Sequence, residues 1–209
     1  EFSYNKIAEA YEPYLGLIRQ MFHRYCSGTL EEFMEECDVY KLQRPVFESY
    51  FENGFCERTE QILIDEVEYE QERMRNSIVT MLQKLSEIRP VVIVLNRFQL
   101  ASKSTMQLTN RLLQTKNKNI GIVLGVNDVQ SIPEFAHEEW DAICESMDDR
   151  NMVYHIGNAG RNMEPDVMDY YSDYESDDGY RKLNNLVYFL DFDQADHHLS
   201  KIERRIKFD

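Results

Sequence analysis

The chain has 209 residues, 43% of them hydrophobic and 12% aromatic, which is a globular composition with enough apolar material for one sizeable domain and excludes a disordered chain. Its formal charge of −15 argues against wrapping nucleic acid or docking on an anionic membrane, because both would repel it. The four cysteines, Cys26, Cys37, Cys56 and Cys144, form no C-x-x-C pair and read as reduced, mostly buried thiols of a cytoplasmic protein.

The first 88 residues read as almost wholly helical. Pro13 and Gly28 punctuate "EPYLGLIRQMFHRY" and "TLEEFMEECDVYKL", and Thr29 with Glu32 has capping-box spacing. Pro45 opens "PVFESYFEN" and Gly54 closes it. A long helix is predicted from about Glu57 to Glu87, with Leu63, Val67, Met74, Ile78, Met81 and Leu85 forming one apolar stripe.

The pattern changes at Pro90. Val91 to Leu95 is a continuous apolar run, as expected of a strand buried on both faces. A helix over 104–115 follows, with Ser104 and Gln107 at capping-box spacing, then a second strand, "NIGIVLGV", over 119–126. A helix over 133–149 buries Ala136, Trp140, Ile143 and Met147, and "NMVYHIG" at 151–157 reads as a third strand. This β-α-β-α-β alternation predicts an α/β fold with a parallel sheet. Residues 163–180, "MEPDVMDYYSDYESDDGY", carry seven acids, four tyrosines and no Lys or Arg, the composition of a solvated loop. A calcium loop does not fit there, because Asp178 stands where the turn glycine belongs and Asn184 where the closing glutamate belongs. Two helices, "GYRKLNNLVYFL" and "DQADHHLSKIERRIK", close the chain.

Catalytic motifs are missing. None of the eight glycines lies in a G-x-x-x-x-G-K-[ST] loop, and there is no G-x-S-x-G elbow. His197 and His198 are adjacent, point about 100° apart on a helix and read as a surface pair rather than as metal ligands. No metal or catalytic residue is assigned. Open α/β sheets bind ligands where their strands end, and here those ends are Asn96 and Arg97 after the first strand and Asn127 and Asp128 after the second. Turn formation alone would also account for these residue types.

Three stretches carry a resemblance: "YEPYLGLIRQMF" at 11–22, "PVVIVLNRFQLASKSTMQLTNRLL" at 90–113 and "IGIVLGVND" at 120–128. Their order resembles the nucleotide-binding region of STAND-class, AAA-related bacterial signalling ATPases, with the closing helices similar to a lead-in to tetratricopeptide repeats. The resemblance implies a partial P-loop-NTPase-like region over 1–160, an acidic loop over 161–180 and a helical segment over 181–209. It places Asn96 and Arg97 where the Walker B acids belong and Asn127 at the sensor position, with Asp128 as the one acid placed to hold a metal. An amide has no charge to offset Mg²⁺ and a guanidinium does not act as a base, so hydrolysis is expected to be disabled. ATP with Mg²⁺ is implied only where a phosphate loop is supplied from further sequence. In that layout the third strand also needs a neighbour, which predicts either chain upstream of Glu1 or a different strand pairing, and 151–157 directly beside 119–126 would contradict the family layout. The expected role is a degenerate nucleotide-sensing switch or scaffold, with protein partners or helical repeats of the same polypeptide. The alternative is an interaction module that binds no nucleotide.

Overall fold

The computed structural model of the protein describes residues 8–56, 67–115, 117–127, 132–148 and 177–206. Among the described residues the architecture is mostly helical, with a two-stranded parallel sheet.

Helix α1 (Tyr14–Tyr25) buries Tyr14, Leu15, Ile18, Met21 and Phe22 along one face. Helix α2 (Leu30–Glu36) starts at the predicted capping box: Thr29 Oγ1 accepts the Glu32 N–H, and the Glu32 carboxylate accepts the Thr29 N–H. It is shorter than its apolar pattern suggested. Asp38 takes a left-handed φ of 54°, and the Val39 N–H turns back to Met34 O, so the chain leaves the helix there. Helix α3 (Arg44–Asn53) carries Pro45 in its first turn and ends at Gly54, whose φ of 79° needs a residue without Cβ. Its last carbonyls are closed by α1: Arg19 Nε donates to Phe51 O at 2.6 Å, and His23 Nε2 lies 3.2 Å from the same oxygen.

Helix α4 (Val67–Ile88) buries Met74, Ile78, Met81 and Leu85 of the predicted stripe. Leu63 and the rest of 57–66 lie outside the described residues. Pro90, which has no N–H, separates α4 from strand β1 (Val91–Asn96). Helix α5 (Lys103–Gln114) then leads to strand β2 (Ile120–Gly125), which pairs with β1 in parallel from Val91↔Ile120 to Asn96↔Gly125. A 3₁₀ turn, Glu134–Ala136, opens helix α6 (His137–Asp148), which packs on α5. Helices α7 (Asp177–Tyr188) and α8 (Phe192–Ile206) complete the described chain.

Three expectations are corrected. The sheet is not buried on both faces. Ile93 and Leu95 face the helices, while Val92, Val94 and Val123 are 72%, 56% and 52% exposed on the other side. In a parallel pair the matched residues share a face, so β2 presents Gly121, Val123 and Gly125 beside those valines. Helix α5 is capped by Ser102, whose Oγ accepts the Thr105 N–H, and not by Ser104. Gln107 gives its amide to Glu139 and accepts from Arg75, so it takes no part in a capping box. His198 is buried, against the expected surface pair: its ring bonds Gln194 at 2.9 Å, while His197 stacks near Phe135. The strand expected at 151–157 lies outside the described residues, as do its pairing and the acidic stretch up to residue 176.

One apolar core runs through all layers. Phe189, between α7 and α8, meets Tyr11, Phe47 and Tyr50 edge-on at ring distances of 6.2, 5.8 and 5.6 Å. Phe22 packs on Phe33 and Phe51. Two hydroxyls inside this core are paired. Tyr14 Oη donates to Thr109 Oγ1 at 2.7 Å, and that hydroxyl donates onward to Thr105 O.

Candidate functional site

The register of the sheet sets the geometry of its carboxyl edge. Because β1 and β2 run parallel and adjacent, Asn96 lies opposite Gly125, and the predicted polar ends of both strands come to one edge. The Asn96 amide lies over Gly125: a Cβ built there would stand 3.0 Å from Asn96 Oδ1. The lack of a side chain at Gly125 therefore leaves Asn96 its place. Asn96 and Asn127 are both exposed, and Asp128 lies outside the described residues.

Arg97 is the pivot between strand and helix. Its backbone takes the left-handed conformation, φ 57° and ψ 45°, which is uncommon for a residue with a Cβ. The turn drives the chain into a 3₁₀ turn over Phe98–Leu100, with Phe98 and Gln99 buried. Ser102 then starts α5 and anchors the loop by donating to Glu9 O at 2.9 Å.

Gln99 is the residue that sequence reasoning missed. It is fully buried, and its Nε2 donates to Asn127 Oδ1, a hydrogen bond that ties the loop after β1 to the end of β2. Its other amide atom, Oε1, is buried with no hydrogen-bond partner among the described residues. A buried acceptor left unsatisfied costs about 1–3 kcal/mol. The sequence signal was a single polar residue between Phe98 and Leu100, which spacing alone does not separate from an ordinary turn residue.

The edge thus brings together three carboxamides, Asn96, Gln99 and Asn127, with the Arg97 backbone turn between them. Carboxamides donate and accept hydrogen bonds but take up no proton at neutral pH and carry no charge for a divalent cation. A guanidinium pairs with anions and is never a base. The described residues of the edge, Asn96, Arg97, Gln99 and Asn127, offer hydrogen bonds and one cation to a polar or anionic ligand, and Asp128, next to Asn127, lies outside them. No cluster of three or more His, Cys, Asp or Glu that could hold a metal exists among the described residues. No helix among them is long and apolar enough to cross a membrane.

Comparison with described protein families, with curated proteins and with solved structures finds no match to this chain.

Proposed function

We propose that this chain is the core of a STAND-like, AAA-related regulatory protein that responds to a nucleotide without hydrolysing it and acts as a switch or scaffold. The observation that carries this reading is the Gln99–Asn127 bond at the carboxyl edge of two adjacent parallel strands, with the buried Gln99 Oε1 left open beside it. Such an edge is where α/β sheets hold ligands, and an orphaned acceptor there is satisfied by a donor brought in with one. Amides in place of acids favour recognition over catalysis.

A phosphate loop is needed for tight binding of the β and γ phosphates, and these 209 residues carry none. ATP and ADP are therefore expected to bind weakly to this chain, through contacts at the edge. Titration of each nucleotide into the protein and into Asn127→Ala tests the reading. Saturable binding that falls about tenfold in the variant supports it. The absence of saturable binding removes the switch and leaves the second reading.

That second reading is a protein-interaction module without nucleotide binding. The exposed valine face favours it, because parallel sheets are normally covered on both sides and Val92, Val94 and Val123 stand open here.

A further inference from the structure

An open groove of about 380 Å³ lies between the C-terminal ends of α1 and α4 and the start of β1. Leu17, Met21 and Pro90 give it apolar walls, Arg24, Tyr25 and Arg89 also line it, and no acid lines it among the described residues. Both guanidiniums converge on the Tyr25 ring, with Cζ 5.5 Å from its centroid for Arg24 and 5.8 Å for Arg89, within the range of cation–π attraction. Neither arginine forms an ion pair among the described residues. On a chain of charge −15, with 38 acids to 23 Lys and Arg, two neighbouring cations without a carboxylate run against the general balance. The adjoining cleft shows the usual arrangement: Glu32, Glu35 and Glu36 line it, and Lys84 pairs with Glu36 at 3.2 Å. Each arginine also complements a helix C-terminus, which accounts for its charge but not for the convergence of both on one half-exposed ring above an apolar floor.

We propose that this groove docks an acidic linear peptide segment of a protein partner, with carboxylates on Arg24 and Arg89 and an apolar side chain against Leu17 and Pro90. Charge complementarity selects the acid, and the apolar lining selects a peptide over a small anion, which would use the cations and leave Leu17 and Pro90 uncovered. The site stands apart from the carboxyl edge, so it holds whether or not the chain binds nucleotide.

Fluorescence anisotropy with a fluorescein-labelled synthetic peptide of alternating glutamate and leucine tests it, against the same peptide with glutamine for glutamate. Saturable binding of the acidic peptide is expected, weaker by about tenfold in R24Q and in R89Q, and weakened by added salt. Both arginines are exposed, so the variants keep the fold, which circular dichroism melting confirms. Inorganic phosphate is expected not to displace the peptide at concentrations that match the added salt. The proposal is overturned if the acidic peptide does not bind saturably, if the glutamine peptide binds equally well, if the R24Q/R89Q double variant binds with unchanged affinity, or if phosphate competes as a specific ligand.

Discussion

The carboxylate of Asp191 accepts the backbone N–H of Ser104 at 3.0 Å with one oxygen and that of Gln194 at 3.4 Å with the other. Asp191 is the residue before α8, and Ser104 is in the first turn of α5, so one buried side chain closes the N-termini of two helices 87 positions apart. Burial lifts its carboxyl above the ordinary range, while the bonds from Ser104 and Gln194 pull the other way. An ordinary N-cap is worth about 1 kcal/mol. Asp191→Ala is therefore expected to cost about 2–3 kcal/mol in urea unfolding, since the α8 cap goes and the buried Ser104 N–H of α5 also loses its acceptor. A loss of 1 kcal/mol or less would mean that only one helix depends on it.

Glu12 gives the protein a pH dependence of unusual sign. Burial pushes its carboxyl up from 4.5 to about 7; the hydrogen bond from Tyr50 opposes this, Glu9 adds to it, and the Gly16 N–H opposes it again. Arg19 is the cation that faces Tyr50 in this cluster. The folded protein thus binds the Glu12 proton more tightly than the unfolded chain. The associated stability is complete below about pH 4.5 and is lost as pH rises through about 7, by on the order of 3 kcal/mol. Unfolding measured between pH 5 and 8 should show wild-type stability falling relative to Glu12→Gln, whose profile in that window is flatter. Parallel profiles would show that Glu12 ionises freely in the fold.

The thiols divide by burial. Cys37 and Cys56 are buried, and burial pushes each thiol up to about 12, while Cys26 and Cys144 are partly exposed. All four are free. A thiol-specific reagent at pH 8 should label Cys26 and Cys144 in the native protein and reach Cys37 and Cys56 only with unfolding. Rapid native labelling of Cys37 or Cys56 would contradict the core described for α2 and for the end of α3.

Arg97 separates conformation from recognition. A left-handed backbone costs a residue with a Cβ about 1 kcal/mol, and glycine is free of that cost. Arg97→Gly should leave the melting temperature unchanged or raise it, while weakening the binding of any anionic ligand at the edge. Arg97→Val should lower stability by about 1–2 kcal/mol, because a β-branched residue tolerates that conformation poorly. Equal melting temperatures for the two variants would show that the turn is not strained.

What the sequence reveals and what it hides follow from locality. The Thr29–Glu32 box, the Pro45 and Gly54 boundaries and the positions of the two apolar strands are encoded within a few residues, and the structure has them there. Ser102 displaces Ser104 as the α5 cap because Asp191, far along the chain, takes the Ser104 N–H, and the Ser104 Oγ accepts from Tyr11 instead. His198 enters the core because Gln194, one turn earlier, gives its ring a partner. An apolar run such as Val91–Leu95 does not say how many faces are covered, since that depends on which helices return to the sheet. Gln99 was hidden for the same reason: its role depends on Asn127, which β-pairing brings close.

The central claim is recognition without hydrolysis at the Asn96–Gln99–Asn127 edge. Its most direct test follows radiolabelled ATP on the purified chain with Mg²⁺, measuring bound nucleotide and released phosphate in the same sample, for the wild type and Asn127→Ala. The account predicts saturable bound ATP that falls about tenfold in the variant, with phosphate release no faster than in buffer. Mg²⁺-dependent phosphate release that tracks the protein concentration, or nucleotide binding indifferent to Asn127, would contradict it.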